Sequence, residues 1–403
     1  MSFSKSQLII IGVGAGVIIL VLAIILGFGR KPASEKASLV FWGTEDAGYF
    51  SDVLNAYRED HKNITITYKK ITAVDYEQEL INSLAAGNGP DIMMFSSGWL
   101  SKHNNKISPA PEERISVDRF TSLFPQVVEE DFTMDDKVYA SPLYVDTLVL
   151  YYNRDMFDRL VLPLAPKTWT EFGDYVISRK APASIGGYAP TVSRAPDIIN
   201  AMLMQFGADF DIRNKSFVRI ASDAGVAALN FYIQFYAPQE ESLTAFAGER
   251  TSMVFGYFSD LAAIKAKNPF INVGTAALPQ YSLSSSVVPA KYFGLAVSDK
   301  SKSKEAAWDF IIAITTNADT ADKFVAKGKH PPALRSLIQK YMDDTKLGVF
   351  ARQALIARSW FVPDEAQVET ILNDMLKSAI SSRAAKPALQ VAEEQINKLI
   401  PKK

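Results

Sequence analysis

Hydrophobic and polar positions change period several times along this 403-residue chain. Leu39-Val40-Phe41-Trp42, ended by Gly43, is a short apolar run of the kind that forms a strand. Tyr49, Val53, Leu54 and Tyr57 then recur at helical spacing. Ile64, Ile66 and Tyr68 alternate with Thr65, Thr67 and Lys69 at a period of two. Helical spacing returns at Tyr76, Leu80, Ile81 and Leu84, and stops at Gly87-Asn88-Gly89-Pro90 before a further strand at Ile92–Phe95. This β-α-β-α-β order predicts an α/β architecture with a parallel sheet covered by helices.

Val138–Asn153 reads as one long extended stretch that leaves one lobe and enters another. Helical patterns follow at Trp169–Arg179, Pro196–Phe206 and Asp223–Tyr236. A second crossover is expected over Gly274–Gly294, with two short strands around a Ser/Pro-rich segment. Helices return at Ser303–Thr316, Asp319–Lys327, Asp364–Arg383 and Pro387–Leu399. The chain thus divides into lobe 1 (38–145 plus 286–340) and lobe 2 (146–285 plus 341–403), hinged near 144–152 and 281–291. Ligands of open α/β sheets bind beyond the carboxyl ends of the strands, so a cleft between the lobes is the expected site.

Leu8–Phe28 is an uncharged apolar run of 21 residues. At about 1.5 Å per residue it would span a bilayer's hydrocarbon core. It exceeds a signal-peptide h-region and is followed by Gly29, Arg30, Lys31 and Pro32. The expectation is an uncleaved, single-pass anchor with a short tail (1–7) before it and a polar linker (29–37) after it. Flanking charge does not fix its orientation: Lys5 precedes the span, while Arg30, Lys31 and Lys36 follow it.

Lys and Arg number 43 against 44 Asp and Glu, a balance without the basic excess of a nucleic-acid binder. There is no Cys, which excludes thiol nucleophiles and thiolate metal sites. His61, His103 and His330 show no ligand spacing, so neither a metal nor another cofactor is expected. Glu129-Glu130-Asp131 and Asp343-Asp344 read as solvated faces.

Five stretches occur together in a recognisable order. The first runs from Phe41-Trp42-Gly43-Thr44-Glu45-Asp46 through Ala86-Gly87-Asn88-Gly89-Pro90-Asp91. Val138-Tyr139-Ala140-Ser141-Pro142 leads to Leu150-Tyr151-Tyr152-Asn153-Arg154, and Pro166-Lys167-Thr168-Trp169 follows. The last two are Gly248-Glu249-Arg250-Thr251-Ser252-Met253-Val254-Phe255-Gly256 and Gly294-Leu295-Ala296-Val297-Ser298 with Glu305-Ala306-Ala307-Trp308. This set resembles the extracellular solute-binding proteins of the sugar-binding, maltose-binding-like group that serve ABC importers. The resemblance, over roughly Leu39–Leu399, implies a two-lobed periplasmic-binding-protein-like fold of type II and a closing cleft. It also implies no catalysis and a membrane permease as partner. A membrane span in place of the soluble or lipid-anchored form is a departure from the group.

A sugar presents hydroxyl rims and apolar faces, so its site needs hydrogen-bonding side chains and aromatic platforms. Trp42, Thr44 and Glu45 lie on the loop after the first strand; Glu45 reads equally as an acceptor or as a first-turn acid of the next helix. Asp75 is a cap or a contact, and Ser96, Ser97 and Trp99 follow the third predicted strand. Asp146, beside Tyr144, is an acidic residue among apolar neighbours, read as a ligand contact or as a hinge residue paired with Arg or Lys. Arg194, Tyr257, Phe258, Lys291, Tyr292 and Trp360 complete the candidate set, with Arg194 also readable as a solvated charge. The expected ligand is a sugar or polyol. A membrane-anchored glycoside hydrolase using Glu45 and Asp146, and a ligand sensor, are the rival readings.

Overall fold

The computed structural model describes residues 36–159, 161–162, 164–178, 195–211, 216–235, 242–360 and 362–400. The span expected at 8–28 lies outside them, as does Arg194. Among the described residues no helix is long and apolar enough to cross a membrane.

The chain opens with β1 (Ala37–Gly43), α1 (Ala47–Asp60), β2 (Ile64–Lys70), α2 (Tyr76–Ala86) and β3 (Ile92–Ser96). The period-two pattern forms β2, with Ile64 and Ile66 buried and Thr65 and Thr67 exposed. β1 pairs in parallel with β2 from Ala37↔Ile64 to Gly43↔Lys70, and also in parallel with β3. Asp46 caps α1, accepting from the Gly48 N–H at 2.8 Å. Gly43 is required by packing: a Cβ there would lie 2.7 Å from both Met94 Sδ and Tyr68 Oη.

β4 (Ile107–Ser108), α3 (Gln126–Phe132) and β5 (Ser141–Pro142) follow before the chain passes to a second sheet. That sheet is built from β6 (Val149–Asn153), β7 (Met253–Gly256) and β8 (Val273–Ala277). Between β6 and β7 lie α4 (Ala195–Phe206) and α5 (Asp223–Phe235), and α6 (Asp260–Lys267) separates β7 from β8. Both β7 and β8 pair antiparallel with the central β6. The second sheet is therefore antiparallel, unlike the parallel β1–β3 arrangement predicted from the opening stretch of the chain. Parallel pairing needs crossover helices on the same sheet, but α4 and α5 pack instead on α9 (Glu365–Ser382) and α10 (Ala385–Leu399).

The chain returns through β9 (Val288–Pro289) to β10 (Phe293–Ser298), which joins the first sheet antiparallel to β3. The order there is β2-β1-β3-β10-β4, with β5 also on β10. α7 (Lys304–Thr316) packs on β10 and β5 of this sheet, α8 (Ala318–Gly328) packs on α1 and α7, and β11 (Ala357–Arg358) pairs in parallel with β9 ahead of α9.

The stretch 138–153, expected to be a single strand, is broken. Its middle, Leu143 to Leu148, runs buried between the two sheets, bridging Tyr144↔Pro332 and Thr147↔Ala290. The buried Gln353 ties this passage to the second sheet. Its Nε2 donates to Thr147 Oγ1 (3.0 Å) and the Leu148 carbonyl (2.9 Å), while its Oε1 accepts from the Leu278 N–H (2.8 Å).

Candidate functional site

A cavity of about 720 Å³ lies between the two sheets, a size in the ordinary range for small-molecule sites. The loop after β1 supplies Thr44 and Glu45, and the region after β3 supplies Ser96 and Trp99. The passage between the sheets supplies Tyr144 and Asp146, the segment joining β9 to β10 supplies Lys291 and Tyr292, and Tyr257 closes the far wall. A side chamber of about 90 Å³ shares Tyr257 and Lys291 with the cavity and adds Ser97 and Trp360.

Glu45 faces the cleft rather than the helix: Tyr144 Oη donates to its Oε1 at 3.3 Å. Burial raises its pKa, only partly offset by the Tyr144 hydrogen bond and Lys70. Trp99 serves both of its expected roles. It stacks on Tyr76 at 6.0 Å and meets Phe95 edge-on in the core, yet it also lines the cavity. Trp360 donates from Nε1 to Asn200 Oδ1 at 3.0 Å and leans on Phe210.

Asp146 is 3% exposed, and no Arg or Lys pairs with it among the described residues. Its carboxylate accepts instead from the Phe258 N–H at 2.8 Å and the Ser259 N–H at 3.1 Å, fastening the loop before α6 to the passage between the sheets. Burial raises its pKa to about 7 against those two backbone donors.

Other candidates fall elsewhere. Trp42 is buried beneath Lys69, whose Nζ lies 4.1 Å from the indole centroid, and it does not line the cavity. Asp75 accepts from Thr72 Oγ1 at 2.7 Å, outside the lining, and its side chain makes no cap bond. The Phe258 ring turns edge-on to Phe350 and leaves the wall to Tyr257. Tyr292 reaches the wall, but its hydroxyl donates to Asp131 at 2.8 Å in the interior. Asp131 is thus a buried acceptor and not part of a solvated face. Glu130 likewise turns inward and accepts from the Ser359 N–H at 3.0 Å. One helix face of α3 is buried and carries Asp131 into the core, with Glu130 half-buried at its edge.

Several site residues escaped sequence reasoning. Glu365 and Glu369 enter from the first turns of α9. Lys291 Nζ lies 2.9 Å from Glu365 and 4.0 Å from Glu369, and Ser96 Oγ donates to Glu365 at 3.3 Å. Burial lowers the pKa of Lys291, but Glu365, Asp197 and Glu369 together outweigh it and the net shift is upward. His330 also lines the cavity. Its position beside Pro331-Pro332 was a visible signal of a fixed turn, but nothing in its spacing marked it as a ligand. Among the described residues no cluster of His, Asp and Glu could hold a metal ion.

The family model for bacterial extracellular solute-binding protein matches residues 52–347. A galactooligosaccharide-binding protein of Bacillus subtilis is 23% identical over 391 residues, covering 90% of each chain. A Brucella abortus relative is 23% identical over 160 residues, and the chain spans 38% of that relative's length. Among solved structures, a cyclic α-maltosyl-1,6-maltose binding protein from Arthrobacter globiformis shares 18% identity at a TM-score of 0.77, covering 90% of this chain and 99% of the other.

Proposed function

We propose a function from one premise: this chain belongs to the bacterial extracellular solute-binding proteins. It captures a carbohydrate in the cleft between its lobes, 38–145 plus 286–340 and 146–285 plus 341–403, and hands it to an ABC importer. The observation that carries this reading is the cavity of about 720 Å³ walled from both sheets, combining carboxylates, a lysine and the rings of Trp99, Tyr144 and Tyr257. The names of the relatives in Bacillus subtilis and Arthrobacter globiformis, both saccharide-binding, support a saccharide as the class. The side chamber shares Tyr257, Lys291, Glu365 and Glu369 with the cavity, and its extension favours an oligosaccharide over a single ring. Ligand bridging the two walls would favour a closed form, and closure would report occupancy to the permease. The apolar run at 8–28 anchors the chain, with the large domain on the extracytoplasmic side.

The hydrolase reading fares worse. A glycosidase needs two carboxyl groups open to the glycosidic bond. Both Asp146 oxygens accept backbone N–H groups, and the residue is 3% exposed.

A thermal-shift screen of the full chain in phospholipid nanodiscs, against mono- and oligosaccharides and polyols, tests the proposal. A ligand that binds the native state raises the unfolding midpoint by mass action. Absence of any shift across neutral, aminated and acidic saccharides refutes it.

A further inference from the structure

Glu45 and His330 form a part of the cleft that the carbohydrate reading leaves unused. His330 Nε2 has no hydrogen-bond partner, although the side chain is only 9% exposed and lines the cavity. It lies 3.6 Å from Glu45 Oε2, too far for a hydrogen bond. The imidazole is held in place by stacking on Tyr144 (4.8 Å) and Phe324 (5.1 Å), with Tyr49 edge-on at 5.4 Å. Burial lowers its pKa to about 4, so it is neutral near pH 7 and does not offset the Glu45 charge.

The rest of the lining adds to that negative charge. Glu77, Glu365 and Glu369 also face the cavity, and Lys291 is the one Lys or Arg among its lining residues. Lys291 is engaged by Glu365, and Glu77 is engaged by Lys102 and His103. Glu45 has no cationic partner within ion-pair distance among the described residues.

We propose that the cleft selects its glycan by charge, with Glu45 and His330 together receiving a protonated amine of the ligand. The inference rests on the carbohydrate reading. With its proton on Nδ1, the imidazole offers a lone pair at Nε2, so the two groups are neighbouring acceptors without a shared hydrogen. A hydroxyl has one hydrogen and satisfies one of them. An ammonium has three and satisfies both while neutralising the carboxylate. A ligand carboxylate or phosphate meets only further negative charge there. The expected order on one skeleton is aminated, then neutral, then acidic.

The test is isothermal titration of the full chain in nanodiscs at about pH 6, where the amine is charged. The probes are three β-1,4-linked trisaccharides: fully deacetylated chitotriose, cellotriose and the corresponding uronate. Chitotriose is expected to bind roughly tenfold more tightly than cellotriose, the increment of one charge-assisted hydrogen bond over a neutral one. The uronate binds most weakly. Glu45→Gln abolishes the advantage of chitotriose over cellotriose. Gly328→Ala tests the histidine without removing it, because a Cβ there would lie 2.4 Å from His330 Cδ2 and 3.0 Å from Nε2, forcing the ring aside. It too should shrink the chitotriose advantage. Cellotriose binding as tightly as chitotriose, or an advantage unchanged in both variants, overturns the inference and leaves the carbohydrate reading standing. If none of the three binds while the wider screen finds another saccharide, the inference alone falls. If that screen is empty as well, both fall.

Discussion

Asp146 makes an exposed test of the packing between the lobes. Its carboxyl group is buried, accepts two backbone N–H groups, and has a pKa raised to about 7 from 3.8 by burial. In the unfolded chain the group loses its proton near the ordinary aspartate value of 3.8; in the native state it keeps the proton until about pH 7. Between those points the native state binds more protons than the unfolded state, so stability falls as pH rises. The contribution is complete below the unfolded pKa and is lost as pH rises through 7. The slope is at most about 1.4 kcal/mol per pH unit, or about 4 kcal/mol across the interval as an upper bound. Asn cannot titrate. Asp146→Asn therefore carries only a constant offset, from placing an amide N–H₂ against the Phe258 and Ser259 N–H groups. Urea unfolding followed by tryptophan fluorescence, at intervals from about pH 4.5 to 8.5, gives both stabilities. The difference, wild type minus variant, should fall by several kcal/mol across that range and flatten above about pH 8. A difference that stays constant, or rises with pH, refutes the reasoning. It would mean that the two backbone donors outweigh burial and that Asp146 is native as a carboxylate.

Gln353→Leu removes three buried hydrogen bonds and leaves Thr147, the Leu148 carbonyl and the Leu278 N–H without this partner. A loss of about 2–4 kcal/mol in urea unfolding is expected, and a loss below about 1 kcal/mol would show that water replaces the amide. Tyr292→Phe removes the hydroxyl that donates to the buried Asp131 and should destabilise by about 1–3 kcal/mol; a neutral result would remove this bond from the account of α3. Lys291→Met should change stability by less than about 1 kcal/mol, because the lysine is about a third exposed and its pairs are screened. A loss twice that size would mark the Lys291–Glu365 pair as structural. Closure can be followed by spin labels, since the chain has no native Cys to compete with introduced ones. Labels at the exposed Glu59 and Gln395, one on each lobe, should approach on adding ligand, and an unchanged distance distribution at saturation refutes a closing cleft.

What could be read in the sequence follows from how locally each property is determined. The β1-to-β3 stretch announced itself because each element carries its own period. Ile64 and Ile66 alternate with threonines, and the burial of β2 follows that alternation residue by residue. Glu45 could be placed on the loop after the first strand for the same reason, whereas Tyr144 is marked only as the neighbour of Asp146 in the crossover and Tyr257 only through the family resemblance. Sheet direction in the second lobe could not be read, because β6, β7 and β8 are distant in sequence and their pairing depends on where α4 and α5 pack. Trp42 illustrates a different failure. Its position at the end of β1 is right for a platform, but the two faces of a strand look toward opposite sides of the sheet, and the cation covering its ring comes from β2. Glu130 and Asp131 looked solvated because three acids in a row usually are; the donors that admit them, Ser359 and Tyr292, lie 229 and 161 residues away. His330 and Glu365 complete the pattern. A lone histidine and a first-turn glutamate have ordinary local explanations, and their chemistry exists only once Tyr144, Phe324 and Lys291 are brought around them. The charge of a binding cleft is therefore a tertiary property. A near-neutral chain can still present a cleft in which acidic side chains outnumber basic ones, because the sum over the sequence says nothing about which charges share a wall.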